Sequence, residues 1–407
     1  MIQQAFGVIG AAYGDEGKGL VTDFLAHQSL KQGHRTVVAR FNGGAQAGHT
    51  VTLPNGVRHV FHHWGSGALA GASTYLGPRF ALHPMLWMEE TEWLANHSAC
   101  LDLLVDARSL VTVPSDVMIN QAVEAARGTG RHGSCGVGFG ETCERQEHVG
   151  MGLTVGELAR MSDEQLLEKL AWIGQHHVPQ RLVALGLPGH TLGDKACHPA
   201  IHARFLEDCR CLLAHARVVS PKALQSFDTV VFEGAQGLAL DEELGDFPFV
   251  TRSKTGLPYL VELADEAGIE TVKVNYLTRA YTTRHGAGPL AHELPSPPAP
   301  RFEDLTNVPN LYQGSLRFAP LNPEALAQRI EKDLQRSSSR CSIQTGLVVT
   351  CLDQVDAIAL PGGETWAIEE AAERLGRHLG VQWIGQSFGP SRSTLRFSSL
   401  AHHRPSP

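Results

Sequence analysis

Short apolar runs rich in β-branched residues recur along the chain, and several of them end in clustered glycines. Ala5–Ile9 (AFGVI) predicts a buried strand, followed by a loop over Gly10–Gly19 and a helix from Leu20 to about Gln28. Thr36–Phe41 (TVVARF) predicts a second strand entering a loop at Asn42–His49. Leu101–Thr112 reads as a strand pair and Ser115–Ala126 as a helix with a serine cap. From Val155 to Ala214 the pattern is mostly helical, and Asp228–Phe232 (DTVVF) is a strand that runs into a glycine turn at Glu233–Gly237. Leu260–Ala267 predicts a helix, and Glu270–Asn275 and Gly346–Leu352 two further strands. Strand, glycine loop and helix in repeated succession predict an α/β protein with a large central, mostly parallel β-sheet flanked by helices. In such sheets ligands sit beyond the C-terminal strand ends, where these P-loop-like glycine loops fall.

The organisation expected is one catalytic domain over residues 1–397 with a helical insertion at about 155–225 and a polar, frayed tail at 398–407. Leu294–Phe302 (LPSPPAPRF) reads as a proline-rich surface connection.

Composition narrows the function. A chain of 407 residues with 43% hydrophobic and 19% charged residues can bury a large core and is not disordered. A formal charge of -8 argues against nucleic acid as a partner. No apolar run approaches the ~20 residues of a membrane span, and Met1–Ile9 carries no basic signal region, so a cytoplasmic protein is expected. The eight cysteines form no CxxC pair, and Cys209-x-Cys211 is too tight for zinc, which makes reduced thiols the expectation. The adjacent pairs His62-His63 and His176-His177 lack any ligand set around them; His62, shortly before Ser66-Gly67, is the one expected near a site.

The chemistry gathers on three glycine loops. Gly14-Asp15-Glu16-Gly17-Lys18-Gly19 lies between strand and helix, where open backbone N–H groups, a helix N-terminus and a lysine together suit phosphate. It is not a Walker A loop, because Ala12 and Gly19 stand where that pattern needs Gly and Ser/Thr. The second strand ends in NGGAQAGHT (Asn42–Thr50), which presents His49, and the third in FEGAQG (Phe232–Gly237), which presents Gln236. Alone, any of these is a surface turn; together, Asp, Lys, His and Gln at strand ends point to phosphoryl chemistry.

With those segments in hand, the chain resembles the adenylosuccinate synthetases. GDEGKG, NGGAQAGHT, FEGAQG, FPFVTRSKTG and AYTTRHGAGPLAHEL follow that family's signature order from Val8 to Leu294. The resemblance implies a C–N ligase, a homodimer, that uses GTP, Mg²⁺, IMP and L-aspartate and proceeds through a 6-phosphoryl purine. It implies Asp15 as general base at purine N1, His49 as stabiliser of charge on O6 and the moving phosphoryl group, and Asp15 with the Gly48 carbonyl as Mg²⁺ ligands. Gly14, Glu16, Gly17, Lys18 and Gly19 would bind nucleotide phosphate. Asn42, Gln46, Ser134, Cys135, Arg145, Gln236, Thr251 and Thr255 would hold the acceptor nucleotide. Arg284, in the TTRHGAGP turn, suits a ligand and a structural role equally.

Three segments depart from the family. Its GTTGRGIGP phosphate loop is Gly133-Ser-Cys-Gly-Val-Gly-Phe-Gly140 here, so Ser134, Cys135 and Val137 replace two threonines and an arginine. The loop that clamps the aspartate carboxylates is Tyr312-Gln-Gly-Ser-Leu-Arg317-Phe, with Arg317 its one arginine and Arg340 or Arg279 as possible helpers. The guanine-reading TKLD is Thr350-Cys-Leu-Asp353, in which Asp353 still accepts from guanine, supported by Gly389 and Pro390 in the SFGPSR turn. Cys351 in place of lysine keeps ATP open beside GTP. Two alternatives therefore stand: the same chemistry on another purine nucleotide such as (d)GMP, and a non-catalytic nucleotide-binding regulator. Ligases of this type that act on dGMP replace the first-loop aspartate by a small residue, whereas Asp15 is retained, and a mere binder needs no base.

Overall fold

The computed structural model describes residues 2–130, 133–188, 192–307, 314–337 and 340–400. In chain order its strands are β1 (Gln4–Gly10), β2 (Thr36–Gly44), β3 (His49–Thr52), β4 (Arg58–Phe61), β5 (Ser73–Leu82), β6 (Leu103–Asp106), β7 (Leu110–Val111), β8 (Ala216–Val219) and β9 (Thr229–Gly237). They continue with β10 (Thr271–Arg279), β11 (Thr282–Arg284), β12 (Arg317–Ala319), β13 (Ser342–Thr350), β14 (Ile358–Ala359), β15 (Thr365–Trp366), β16 (Trp383–Ser387) and β17 (Leu395–Ser399).

One large sheet runs β17-β16-β13-β10-β1-β9-β2-β5-β6-β8, with β7 also on β5. Its pairs are parallel except β16–β17. Helices cover both faces, which is why β2 is buried along its whole length and reads as a near-continuous apolar run. The two-residue period sorts the side chains between the faces. Ile9, Val37, Ala39, Val230 and Phe232 join one core with helices Leu257–Glu266 and Pro323–Arg336, while Val8, Val38 and Val231 join another under helix Lys18–Lys31. A third core, including Leu76, Trp87, Leu103 and Phe205, fills the β5–β6 end.

The expected elements are present, with shifted ends. The first helix spans Lys18–Lys31, starting earlier than the expected Leu20. β2 and β9 continue through Gly44 and Gly237, so the turn read at Glu233–Gly237 is strand and the loop read at Asn42–His49 begins only at Ala45. The helix Pro114–Arg127 begins at a proline, and its entry is fixed by Val113 N–H donating to Asp116 at 3.0 Å, not by a serine cap. Helices Val155–Leu158, Asp163–Trp172, Val178–Ala184, Leu192–Ala196 and Pro199–His215 lie between β7 and β8. Ser398 and Ser399, expected in the tail, pair with Ile384 and Trp383 in β17; residues 401–407 of that tail lie outside the described residues. None of the eight cysteines is in a disulfide among the described residues. Among the described residues no helix is long and apolar enough to cross a membrane, and no group of three or more His, Cys, Asp or Glu is arranged to hold a metal.

Candidate active site

β1 leads into a turn in which Gly14 (φ 93°), Asp15 (φ 62°) and Gly17 (φ 88°) are left-handed, a conformation that asks glycine of two positions and strains the third. The turn is knitted from within. Glu16, 2% exposed, accepts from the N–H groups of Ala12 (3.0 Å) and Gly14 (2.8 Å) and from Lys18 Nζ (3.1 Å). Its carboxylate therefore organises the loop, so a phosphate contact expected of Glu16 falls to its backbone N–H. Gly19 is needed for packing, since a Cβ there would lie 2.5 Å from the Thr50 carbonyl oxygen. From outside, Thr350 Oγ1 donates to the Glu16 carbonyl at 3.2 Å and Arg279 Nε donates to the Asp15 carbonyl. The helix that follows has no side-chain cap and no acidic residue in its first turn, which leaves its leading N–H groups and their positive potential open to an anion.

Beside this loop stands a buried dyad. His49 Nδ1 lies 2.8 Å from Glu233 Oε1, and its Nε2 is buried with no partner among the described residues. Glu233 also accepts from the Ser66 hydroxyl and N–H, and Arg40, its cross-strand neighbour in the β2–β9 register, approaches to 3.8 Å. Burial lowers the His49 imidazole to about 4, the attraction of Glu233 notwithstanding. Burial alone would raise the Glu233 carboxyl, but His49, Arg40 and Ser66 outweigh it and hold it at about 2. Glu233 is thus a fixed carboxylate that orients the imidazole, and it was missed from the sequence. The available signal was a charged residue in each of two adjoining apolar runs, TVVARF and TVVFEG.

Asp15, Lys18, Gly48 and His49 line one cleft, together with Arg58, Arg279 and Thr306. That cleft continues past Tyr13, Gln46, Gln236, Cys135, Val137 and His285 into a second lobe lined by Ser134 and Thr251. Gln46 brings a buried amide with neither atom partnered among the described residues. Ser134 accepts from Asn120 at 2.8 Å, and the Cys135 thiol donates to the Gln46 carbonyl at 3.5 Å, which ties the substituted loop to both walls.

Several expected ligands stand elsewhere. Asn42 is fully buried and clamps loops, its amide donating to Lys254 O at 3.1 Å and accepting from Ala235 N–H at 2.8 Å. Thr255 turns inward to Gly237 O (3.1 Å) and Asp241. Arg145 is wholly buried: it pairs with Asp116 at 2.9 Å and donates to Met151 and Val111 carbonyls, and it does not line this cleft. Arg317 is bound by Glu293 and by the carbonyls of Gly286 (3.1 Å) and Gly288 (2.8 Å), and does not line the cleft. Tyr312 and Gln313 of its expected loop lie outside the described residues. Arg284 donates to Ala287, Pro289 and Phe249 carbonyls and lies 4.5 Å over the Tyr13 ring, a structural part, and it also lines the second lobe. Asp353, exposed, and the turn at Gly389 and Pro390 follow the C-terminal ends of the paired strands β13 and β16, at the same edge of the sheet as the first loop.

A model of the adenylosuccinate synthetase family matches residues 7–317. The chain belongs to the adenylosuccinate synthetase family. It is similar to the adenylosuccinate synthetases of an Anaeromyxobacter species (34% identity over 297 residues, 70% of this chain and 64% of that one) and Porphyromonas gingivalis (33% over 294 residues, 70% and 65%). The match thus spans a little under two thirds of those relatives' length. In fold it is similar to a fully ligated adenylosuccinate synthetase from Plasmodium falciparum (TM-score 0.71, 18% identity, 97% of this chain and 99% of that chain). It also resembles a cyanophage S-2L succinoaminodeoxyadenylate synthetase bound to dGMP and dATP (TM-score 0.62, 17% identity, 97% and 95%). Membership accounts for the three strand-end loops; Asp353, Gly389 and Pro390 lie beyond the residues that the family model matches.

Proposed function

We propose that this protein ligates L-aspartate to the 6-position of a 6-oxopurine nucleotide, IMP being the reference acceptor, at the expense of GTP. The observation that carries the reading is the convergence of Asp15, Lys18 and the His49–Glu233 dyad on one cleft at an uncapped helix N-terminus. The donor's γ-phosphate would meet the open N–H groups and Lys18, which exchanges Glu16 for phosphate oxygens. Asp15 takes the N1 proton as the purine O6 attacks phosphorus; held against the base, a carboxylate is effective despite its low intrinsic basicity. His49, steered through Nδ1 by Glu233, presents Nε2 to the developing charge, and an arriving anion favours its protonated form. The aspartate amine then displaces phosphate from C6.

Asp15 and the Gly48 carbonyl, on the same wall as Lys18, suit Mg²⁺, which needs one carboxylate when phosphate oxygens and waters complete its shell. Bound there, Mg²⁺ supplies charge neutralisation of the donor phosphates. For the aspartate carboxylates, the placement of Arg58 in the cleft supports Arg58 in the role expected of Arg317. Gln46, Gln236, Ser134, Cys135 and Thr251 would hold the acceptor, and Asp353 with Gly389 and Pro390 the guanine of GTP. A homodimer in the cytoplasm belongs to the same reading through the family resemblance alone.

The test is phosphate release with Mg²⁺ and L-aspartate, crossing IMP, dIMP, GMP and dGMP as acceptors with GTP and ATP as donors. Aspartate-dependent release with a 6-oxopurine acceptor is the expected result. Silence across the panel would reject the ligase in favour of a nucleotide-binding regulator.

A further inference from the structure

His285 belongs to no role described so far. It lines both lobes of the cleft, and both of its ring nitrogens are shielded from solvent without a hydrogen-bond partner among the described residues. Its Nε2 lies 4.0 Å from Asp15 Oδ2, near enough for the two side chains to address neighbouring positions of one bound ring, at the outer limit of an ion pair and too far for a hydrogen bond.

Its placement is enforced. Arg284, on one side, and Arg317, across the β11–β12 pair, together donate to four carbonyls of the Gly286–Pro289 turn. A Cβ at Gly133 would lie 2.8 Å from Gly286 Cα, so the 133–138 loop rests directly on that turn. Two arginines and a close backbone contact thus hold the imidazole at the junction of the lobes. An orphaned imidazole so fixed is expected to find its partner on a ligand.

We propose that His285 reads the 2-position of the acceptor purine and favours a 2-amino-6-oxopurine. This rests on the acceptor reading above, in which Asp15 addresses N1. The neighbours of N1 are C6, whose oxygen falls to His49, and C2, which is left to His285. A C2–H offers an imidazole nitrogen nothing, whereas an exocyclic amine donates to its lone pair. Asp15, although dGMP-type ligases carry a small residue there, does not exclude this ligand, because a carboxylate accepts side by side from N1–H and from an adjoining amine.

The experiment is calorimetric titration of the full chain with GMP and with IMP, the donor site being held by a non-hydrolysable GTP analogue and Mg²⁺. The wild-type protein should bind GMP about tenfold more tightly than IMP, equivalent to about 1.4 kcal/mol. His285→Ala should remove that preference while leaving the Kd of the GTP analogue unchanged, and His285→Asn, which keeps an acceptor, should retain part of it. A wild-type preference for IMP, or a preference that survives in His285→Ala, overturns the proposal while leaving the acceptor lobe in place. Wild-type protein that binds neither nucleotide overturns the acceptor reading itself, and this proposal with it.

Discussion

At the end of the cleft where phosphoryl transfer is proposed, Glu233 stands in β9, while Asp15, Lys18 and His49 follow its neighbours β1 and β2, on the turn into the first helix, at that helix's first residue and at the start of β3. At the acceptor end, Ser134, Cys135, Thr251 and His285 stand on turns, held by Asn120 and by the two arginines that grip carbonyls. The first end is anchored to the sheet through Glu233 and the short turns that leave β1 and β2, and is polarised by a buried ion cluster; the second is positioned by side chains that themselves sit on loops. Sheet-borne geometry resists substitution at the surface and is intolerant within, whereas loop-borne geometry is where specificity can drift without loss of the chemistry.

The largest expected effect breaks the phosphoryl end. Asp15→Ala should lower kcat by ~10³-fold, in the range for a lost general base, while titration still detects nucleotide binding. Retention of more than about a tenth of wild-type turnover would remove Asp15 from that role.

Glu233→Gln should come next, with kcat down ~10²-fold and the fold weakened by about 3 kcal/mol, as when one member of a buried ion pair is removed. Steady-state kinetics and urea unfolding give the two numbers. The same cluster predicts a pH dependence. Unfolded, His49 protonates near its ordinary 6.5, but folded only near 4, so the stability contributed by its neutral form is complete above that ordinary value and declines as pH falls towards 4. Glu233, held at about 2, adds a further loss as pH falls from its ordinary 4.5 towards 2. Urea midpoints against pH should fall over both windows, and His49→Gln should flatten the upper one.

Asp353→Asn should shift the donor preference away from GTP by about tenfold in kcat/KM, the value of one or two unmade hydrogen bonds. Unchanged selectivity would put the guanine reader elsewhere. The smallest effect sharpens the acceptor end. Cys135→Ser exchanges a weak donor for a hydroxyl and should lower the acceptor KM a few-fold, about 1 kcal/mol or less, with kcat unmoved.

The same contrast governs what the sequence disclosed. The parallel sheet and the loops at Gly14–Gly19 and Asn42–His49 were legible because buried strands announce themselves as apolar runs ending in glycine. β5, at the centre of the β2–β6 half, was missed because STYLGPRFAL breaks its run with glycine, proline and arginine. Residue type named His49 but not Glu233, whose importance exists only once β2 and β9 are in register. Asn42, Arg145 and Thr255 went astray for the opposite reason: the residues stand in the matching segments, but burial turns their polar groups inward to clamp backbone.

The strand order also sets a timetable. β1, which carries the first loop, is made first, yet its two neighbours are β9 and β10, more than two hundred residues later in the chain. During synthesis its edges stay unpaired until most of the protein has emerged, and long-range parallel pairing of this kind closes slowly and leaves sticky intermediates exposed. Lys18 and Asp15 therefore acquire their working geometry late, as a product of the completed sheet, and a nascent chain arrested before Thr271 would carry the phosphate loop's residues without its shape.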